Sequence, residues 1–129
     1  MPLYVAHFVV LQQDVWYSKA EPHKVARQSE KHRLVSLLFE AASADAAYEK
    51  TSAMVNGLSD AHCDGEGDRT NYYGVGIREL EEVFVGTRPF GEVLNGPYGL
   101  EVGNIEWSSE APEVRLREEL SVFSQSRGA

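Results

Sequence analysis

The sequence predicts an α+β fold: a mostly antiparallel sheet with one main helix packed on one face and a short C-terminal helix. Three observations carry this expectation. Leu3 to Leu11 and Leu34 to Phe39 are short apolar runs rich in β-branched and aromatic residues, which is strand chemistry. Ser43 to Gly57 has helical periodicity with a cap residue at its start. The elements then follow the order strand, long connection, strand, helix, loop, strand, turn, strand, short helix, without the regular strand-helix alternation of a parallel sheet.

The first strand places Leu3, Val5, Val9 and Leu11 on one face and Tyr4, Ala6, Phe8 and Val10 on the other. Both faces are apolar, and one helix layer covers only one of them. A homodimer that hides the second face is therefore expected. Gln12 to Lys31 reads as a long connection with Trp16, Tyr17 and a helical turn after Pro22. Leu34 to Phe39 is nearly continuous in apolar character and suits a strand covered on both sides.

In the helix, Ser43 is the N-cap, Gly57 the residue just past the C-terminus, and Ala47, Thr51, Met54, Val55 and Leu58 form the inward stripe. Ser59 to Asn71 is polar and glycine-punctuated, hence a loop. Tyr72 to Ile77 reads as a strand with Tyr73, Val75 and Ile77 on one face, and Leu80 to Val85 extends it after a bend. Gly74 and Gly76 share the other face and permit close approach of backbone or helix. Asn95-Gly-Pro-Tyr-Gly99 is a turn, and Leu100, Val102, Ile105 and Trp107 make a last strand with a bulge near Gly103. Pro112 is placed as a first helical residue, with Leu116, Leu120 and Phe123 as a narrow apolar stripe.

At 129 residues, with 43% hydrophobic and 25% charged residues, the chain is a single domain spanning residues 1 to 129. Its longest apolar run is far shorter than the roughly 20 residues a membrane helix needs, and no secretion signal is evident. One cysteine, Cys63, makes an intramolecular disulfide impossible, so a cytoplasmic location is expected. The net charge of −8 argues against nucleic acid as a partner.

That charge is unevenly spread. Lys19 to Arg33 holds five basic residues against two acidic ones, a net of +3, which leaves −11 for the remainder. Such polarity steers an acidic partner to the basic segment, or docks the segment on the acidic body of its own or a neighbouring subunit. Trp16 and Tyr17, beside Lys19, Lys24 and Arg27, resemble the aromatic and basic anchors of a binding surface, although burial against the sheet would equally explain them.

Four regions invite a chemical reading. Asp60 to Asp68 partly echoes a calcium loop, but position 3 is His62, position 12 is Asn71 in place of the bidentate Glu, and strand follows where a helix should. His62, Cys63 and Asp64 carry groups that suit zinc, yet neighbours in sequence diverge in direction and no further His or Cys lies at ligand spacing. His7, inside an apolar strand, reads as a satisfied core or interface histidine. Gly74-Val-Gly76 lacks the third glycine and following helix of a dinucleotide site, and Glu79, Glu81, Glu82, Glu92 and Glu101 read as solubilising charge. No cofactor is expected.

The segments Tyr4 to Leu11, Glu30 to Lys50 with its acidic, alanine-rich helix, Tyr73-Gly-Val-Gly-Ile-Arg-Glu-Leu-Glu-Glu-Val83 and Gly99 to Val102 together resemble a family of small bacterial domains of unknown function. Its pattern is a strand, a second strand leading into an S-x-x-E/D-A helix, and a strand with a GV-x-x-L-x-x-V signature. The likeness spans about residues 3 to 105, except for the basic segment and the loop around Cys63, and it implies a fold without an activity. The functional expectation is a non-enzymatic interaction or regulatory module contacting its partner through Trp16, Tyr17, Lys19, Lys24 and Arg27. The alternatives are a small metal-dependent or cysteine/histidine hydrolase centred on His62, Cys63 and Asp64 with help from His7 or His32, and an immunity-like protein whose acidic face blocks a basic toxin.

Overall fold

Two long strands, β1 (Leu3–Tyr17) and β2 (Val25–Glu40), form an antiparallel hairpin. The helix α1 (Ala44–Gly57) follows, then β3 (Asp60–Cys63), β4 (Arg69–Val83), β5 (Leu100–Trp107), a 3-10 turn at Arg117–Glu119 and a short helix α2 (Ser121–Ser124). The computed structural model describes residues 2–63, 68–84, 94, 96–107 and 112–124. The five strands form one antiparallel sheet in the order β3-β4-β1-β2-β5. The architecture is thus α+β, and none of the described helices is long and apolar enough to cross a membrane.

The expected connection from Gln12 to Lys31 is instead the outer half of the hairpin: Gln12 pairs with Lys31, Gln13 with Glu30, Asp14 with Ser29 and Trp16 with Arg27. Polar side chains hid these strands from a hydrophobicity reading. Their pairing rests on backbone bonds and on polar cross-strand pairs, such as Gln13 Nε2 donating to Glu30 Oε1 at 3.3 Å. The turn itself is short, closed by Ser18 N donating to Lys24 O at 2.8 Å and Lys24 N to Glu21 O at 2.9 Å. The expected loop from Ser59 to Asn71 likewise contains β3 and the start of β4, paired from Asp60↔Tyr72 to Cys63↔Arg69.

α1 begins as expected, with the Ser43 hydroxyl accepting from Ala46 N at 3.1 Å in an extended cap conformation. Its end differs. Gly57 belongs to the last turn and Leu58 is the cap, held by its N–H to Met54 O at 3.1 Å. Gly57 also gives room to the Tyr98 ring, which a Cβ there would displace. The buried stripe Ala47, Thr51 and Met54, flanked by Val55 and Leu58, packs on Tyr4, Ala6, Phe8 and Val10 of β1 and Val35, Leu37 and Phe39 of β2. Thr51 is fully buried and satisfied, its hydroxyl donating to Ala47 O at 2.6 Å.

Two bulges in β4 set which residues face the helix. Val9 stands opposite Gly76 and Val10 opposite Gly74, so Val75 is extra; His7 stands opposite Glu79 and Phe8 opposite Ile77, so Arg78 is extra. The two glycines therefore lie on opposite faces of the sheet, against the expectation of a shared face. A Cβ on Gly74 would run into the Val55 carbonyl of α1, and one on Gly76 would run into Val114.

Val114 belongs to an extended segment, not to a helix opened by Pro112. Arg115 N donates to Ile77 O at 2.9 Å along β4, and the helical turns begin only at Arg117. That segment helps cover the second face of the sheet. Val9 there is 1% exposed, and Leu3 and Leu38 pack with Leu94 from the β4–β5 connection. The expected bulge near Gly103 is present, with the β2–β5 register shifting between Ser36 and Leu37.

Ser43→Ala removes the cap and is expected to cost about 1 kcal/mol in chemical denaturation. Gly74→Ala is expected to cost more, about 1–3 kcal/mol, because the colliding atom is a helix backbone carbonyl.

Candidate functional site

The anticipated contact residues gather at the tip of the hairpin. Trp16 and Arg27 are cross-strand partners, and the Arg27 guanidinium lies over the indole at 4.0 Å from the ring centroid. Lys24 pairs with Glu21 at 2.7 Å on the exposed turn, and Tyr17 is anchored by its N–H to Asp68 Oδ1 at 3.1 Å. Lys19 to Glu30 is exposed throughout, so the basic segment is a structured arm displayed to solvent. β5 pairs with β2 only from His32 to Leu38, leaving Val25 to Lys31 with a strand partner on the β1 side alone among the described residues.

His62 and Cys63 lie on β3 opposite Thr70 and Arg69, while Asp64 and the following residues to 67 fall outside the described residues. Thr70 in turn stands opposite Asp14, seven residues along β1 from His7, a separation of roughly 23 Å in an extended strand. The backbone register therefore keeps His62 and Cys63 apart from His7. Among the described residues no group of three or more His, Cys, Asp or Glu is placed to hold a metal ion.

A second constellation, missed by the sequence reading, surrounds His7 on the face opposite α1. Register brings Ser36 to one side of His7 and β4 to the other. His7 Nδ1 lies 2.6 Å from Ser36 Oγ, and Nε2 lies 3.3 Å from Glu81 Oε1. With neutral His7 donating from Nε2 to Glu81, its Nδ1 accepts the Ser36 hydroxyl proton. The expectation of a satisfied histidine thus holds, and the residues that satisfy it are now specified.

Beside this group a cavity of about 240 Å³ is lined by His7, Leu34, Arg78, Glu79 and Arg115. Glu79 holds its wall together. Its carboxylate accepts from Ser121 N at 2.6 Å, Ser121 Oγ at 2.8 Å, Leu80 N at 2.9 Å and Arg115 Nη1 at 2.7 Å. Burial pushes the Glu79 carboxyl up, but the Ser121 and Leu80 donors and the Arg115 charge outweigh it and hold the group below the ordinary carboxylate range. Arg78 donates to Glu113 O at 3.3 Å and carries its guanidinium 5.1 Å from the Trp107 ring centroid. Since β1 and β2 lie between β4 and β5, that contact reaches across the second face. The only sequence signal for this site was an isolated His in an apolar strand, because its partners come from positions 29 and 74 residues away.

Comparison with protein-family models, curated proteins and solved structures finds no match.

Glu79→Gln is expected to destabilise the fold by about 1–3 kcal/mol at neutral pH, since hydrogen bonds to a charged group are replaced. The folded carboxyl is depressed, so its stabilisation is present above the unfolded carboxylate range and is lost as pH falls through the folded value. Denaturation of wild type and variant from neutral to acidic pH should therefore show the stability difference shrinking as the medium is acidified.

Proposed function

We propose that this chain is a non-enzymatic interaction module that assembles as a homodimer, its basic arm docking on the acidic body of a second copy. The observation that supports this most is the arm itself. Lys19, Lys24 and Arg27 are held on a hydrogen-bonded hairpin and displayed beside Trp16, not dispersed along a loop. A preformed arm binds without first ordering a long segment, which lowers the entropic cost of association.

Charge selects the partner surface. Lys19 to Arg33 carries +3 and the remainder −11, so arm and body attract. The same reading has the protein act in the cytoplasm, where its single cysteine stays reduced.

Light scattering at low ionic strength should give about twice the chain mass of 14.3 kDa. Raising the salt, or changing Lys19, Lys24 and Arg27 together to Glu, should return the chain mass, because exposed charges are screened over about 10 Å at 0.1 M salt. A wild-type mass of 14.3 kDa at low salt, or a dimer indifferent to the charge reversal, would contradict the proposal.

A further inference from the structure

The cavity over Leu34 brings two guanidinium groups together in a chain whose net charge is −8. Two guanidinium groups line it with the Glu79 carboxylate, and the Glu81 carboxylate stands just beyond, at His7 Nε2. Glu79 leaves this charge incompletely neutralised. It is already met by Ser121 and Leu80, and it engages Arg115 through Nη1. The described hydrogen bond of Arg78 likewise runs from Nη1 to the Glu113 carbonyl. A guanidinium has five N–H donors, so both arginines retain donors for an incoming anion.

Leu34 is the one apolar residue of the lining among the described residues. Leu34 is only partly buried, and Ile105, its partner on β5, is 54% exposed. At about 240 Å³ the cavity is slightly smaller than the 300–1,000 Å³ range of ordinary ligand pockets, which limits the occupant to a small molecule. A strongly hydrated inorganic ion would gain nothing from the Leu34 side. An anion with a short apolar tail matches both parts.

We propose that this cavity binds a small organic acid, its carboxylate taken by Arg78 and Arg115 and its hydrocarbon part resting on Leu34. Arg78 is the selective element, because the fold does not use its charge to neutralise Glu79. Its guanidinium is positioned from two sides, by the Glu113 carbonyl and the Trp107 ring. Arg115 joins the site to the framework through Glu79. This site is separate from the basic arm, so its test is independent of dimer formation.

The test is calorimetric titration of the full chain with pentanoate, pentanol and inorganic phosphate, with pentanoate contacts mapped by amide and methyl NMR shifts. Pentanoate should bind saturably and shift Leu34, His7 and Arg78, whereas pentanol and phosphate should bind at least about tenfold more weakly. Arg78→Gln should weaken pentanoate by a similar factor while the protein still melts cooperatively, and Arg78→Lys should recover only part of the loss. Equal binding of phosphate or pentanol, pentanoate shifts elsewhere than these residues, or undiminished affinity in a folded Arg78→Gln protein would overturn the proposal. Should the variant fail to fold, the wild-type shift map and the three-ligand comparison decide the matter alone.

Discussion

Everything in this protein hangs on the double pairing of β1. From Leu3 to Tyr17 it is hydrogen-bonded to β2 on one edge, and from Leu3 to Val15 to β4 on the other. A central strand of this length fixes the parity of every neighbour, because side chains alternate and a one-residue slip would exchange the two faces. With the present register Tyr4, Ala6, Phe8 and Val10 go under α1, and His7 and Val9 go to the opposite side. The two bulges in β4 then make local exceptions. One sends Gly74 under the helix and Gly76 under Val114; the other adds Arg78 beside Glu79 at the cavity. Fold and candidate site are consequences of one ladder.

The second sheet face is less empty than two apolar strand faces and one helix would suggest. Leu94 seals one end with Leu3 and Leu38, Val114 fills the place a side chain at Gly76 would occupy, and Arg78 reaches toward Trp107 across the middle. What stays accessible is divided between aromatic and aliphatic groups, such as Tyr73 at 45% and Ile105 at 54%, and the charged cavity. Two of the places where this acidic chain groups basic side chains are thus the hairpin arm and a small recess.

The parts legible in the sequence are those where local pattern and final environment agree. The apolar runs of β1 and β2, the Ser43 cap, the Ala47–Thr51–Met54 stripe and the bulge near Gly103 each follow from a few adjacent residues. Hydrophobicity failed where strands are held by backbone pairing under polar side chains, as in Gln12 to Tyr17 and Arg69 to Asn71. It failed again at Pro112, whose suitability for a helix start was overridden by extended pairing along β4. The His7 site was illegible for a different reason. Ser36, Glu79 and Glu81 are ordinary residues until register places them beside one histidine, and no short motif encodes that register.

β1 is paired on both edges well beyond its apolar half, so that the polar stretch toward Trp16 is sheet and not loop. Residue-resolved amide hydrogen exchange tests it most directly. Amides of Gln12 to Val15 should exchange slowly, approaching the protection of Phe8 and Val9, while those of Ala20 to His23 in the turn should exchange fast. Uniformly fast exchange from Gln12 through Lys31 would contradict it, and with it the arm.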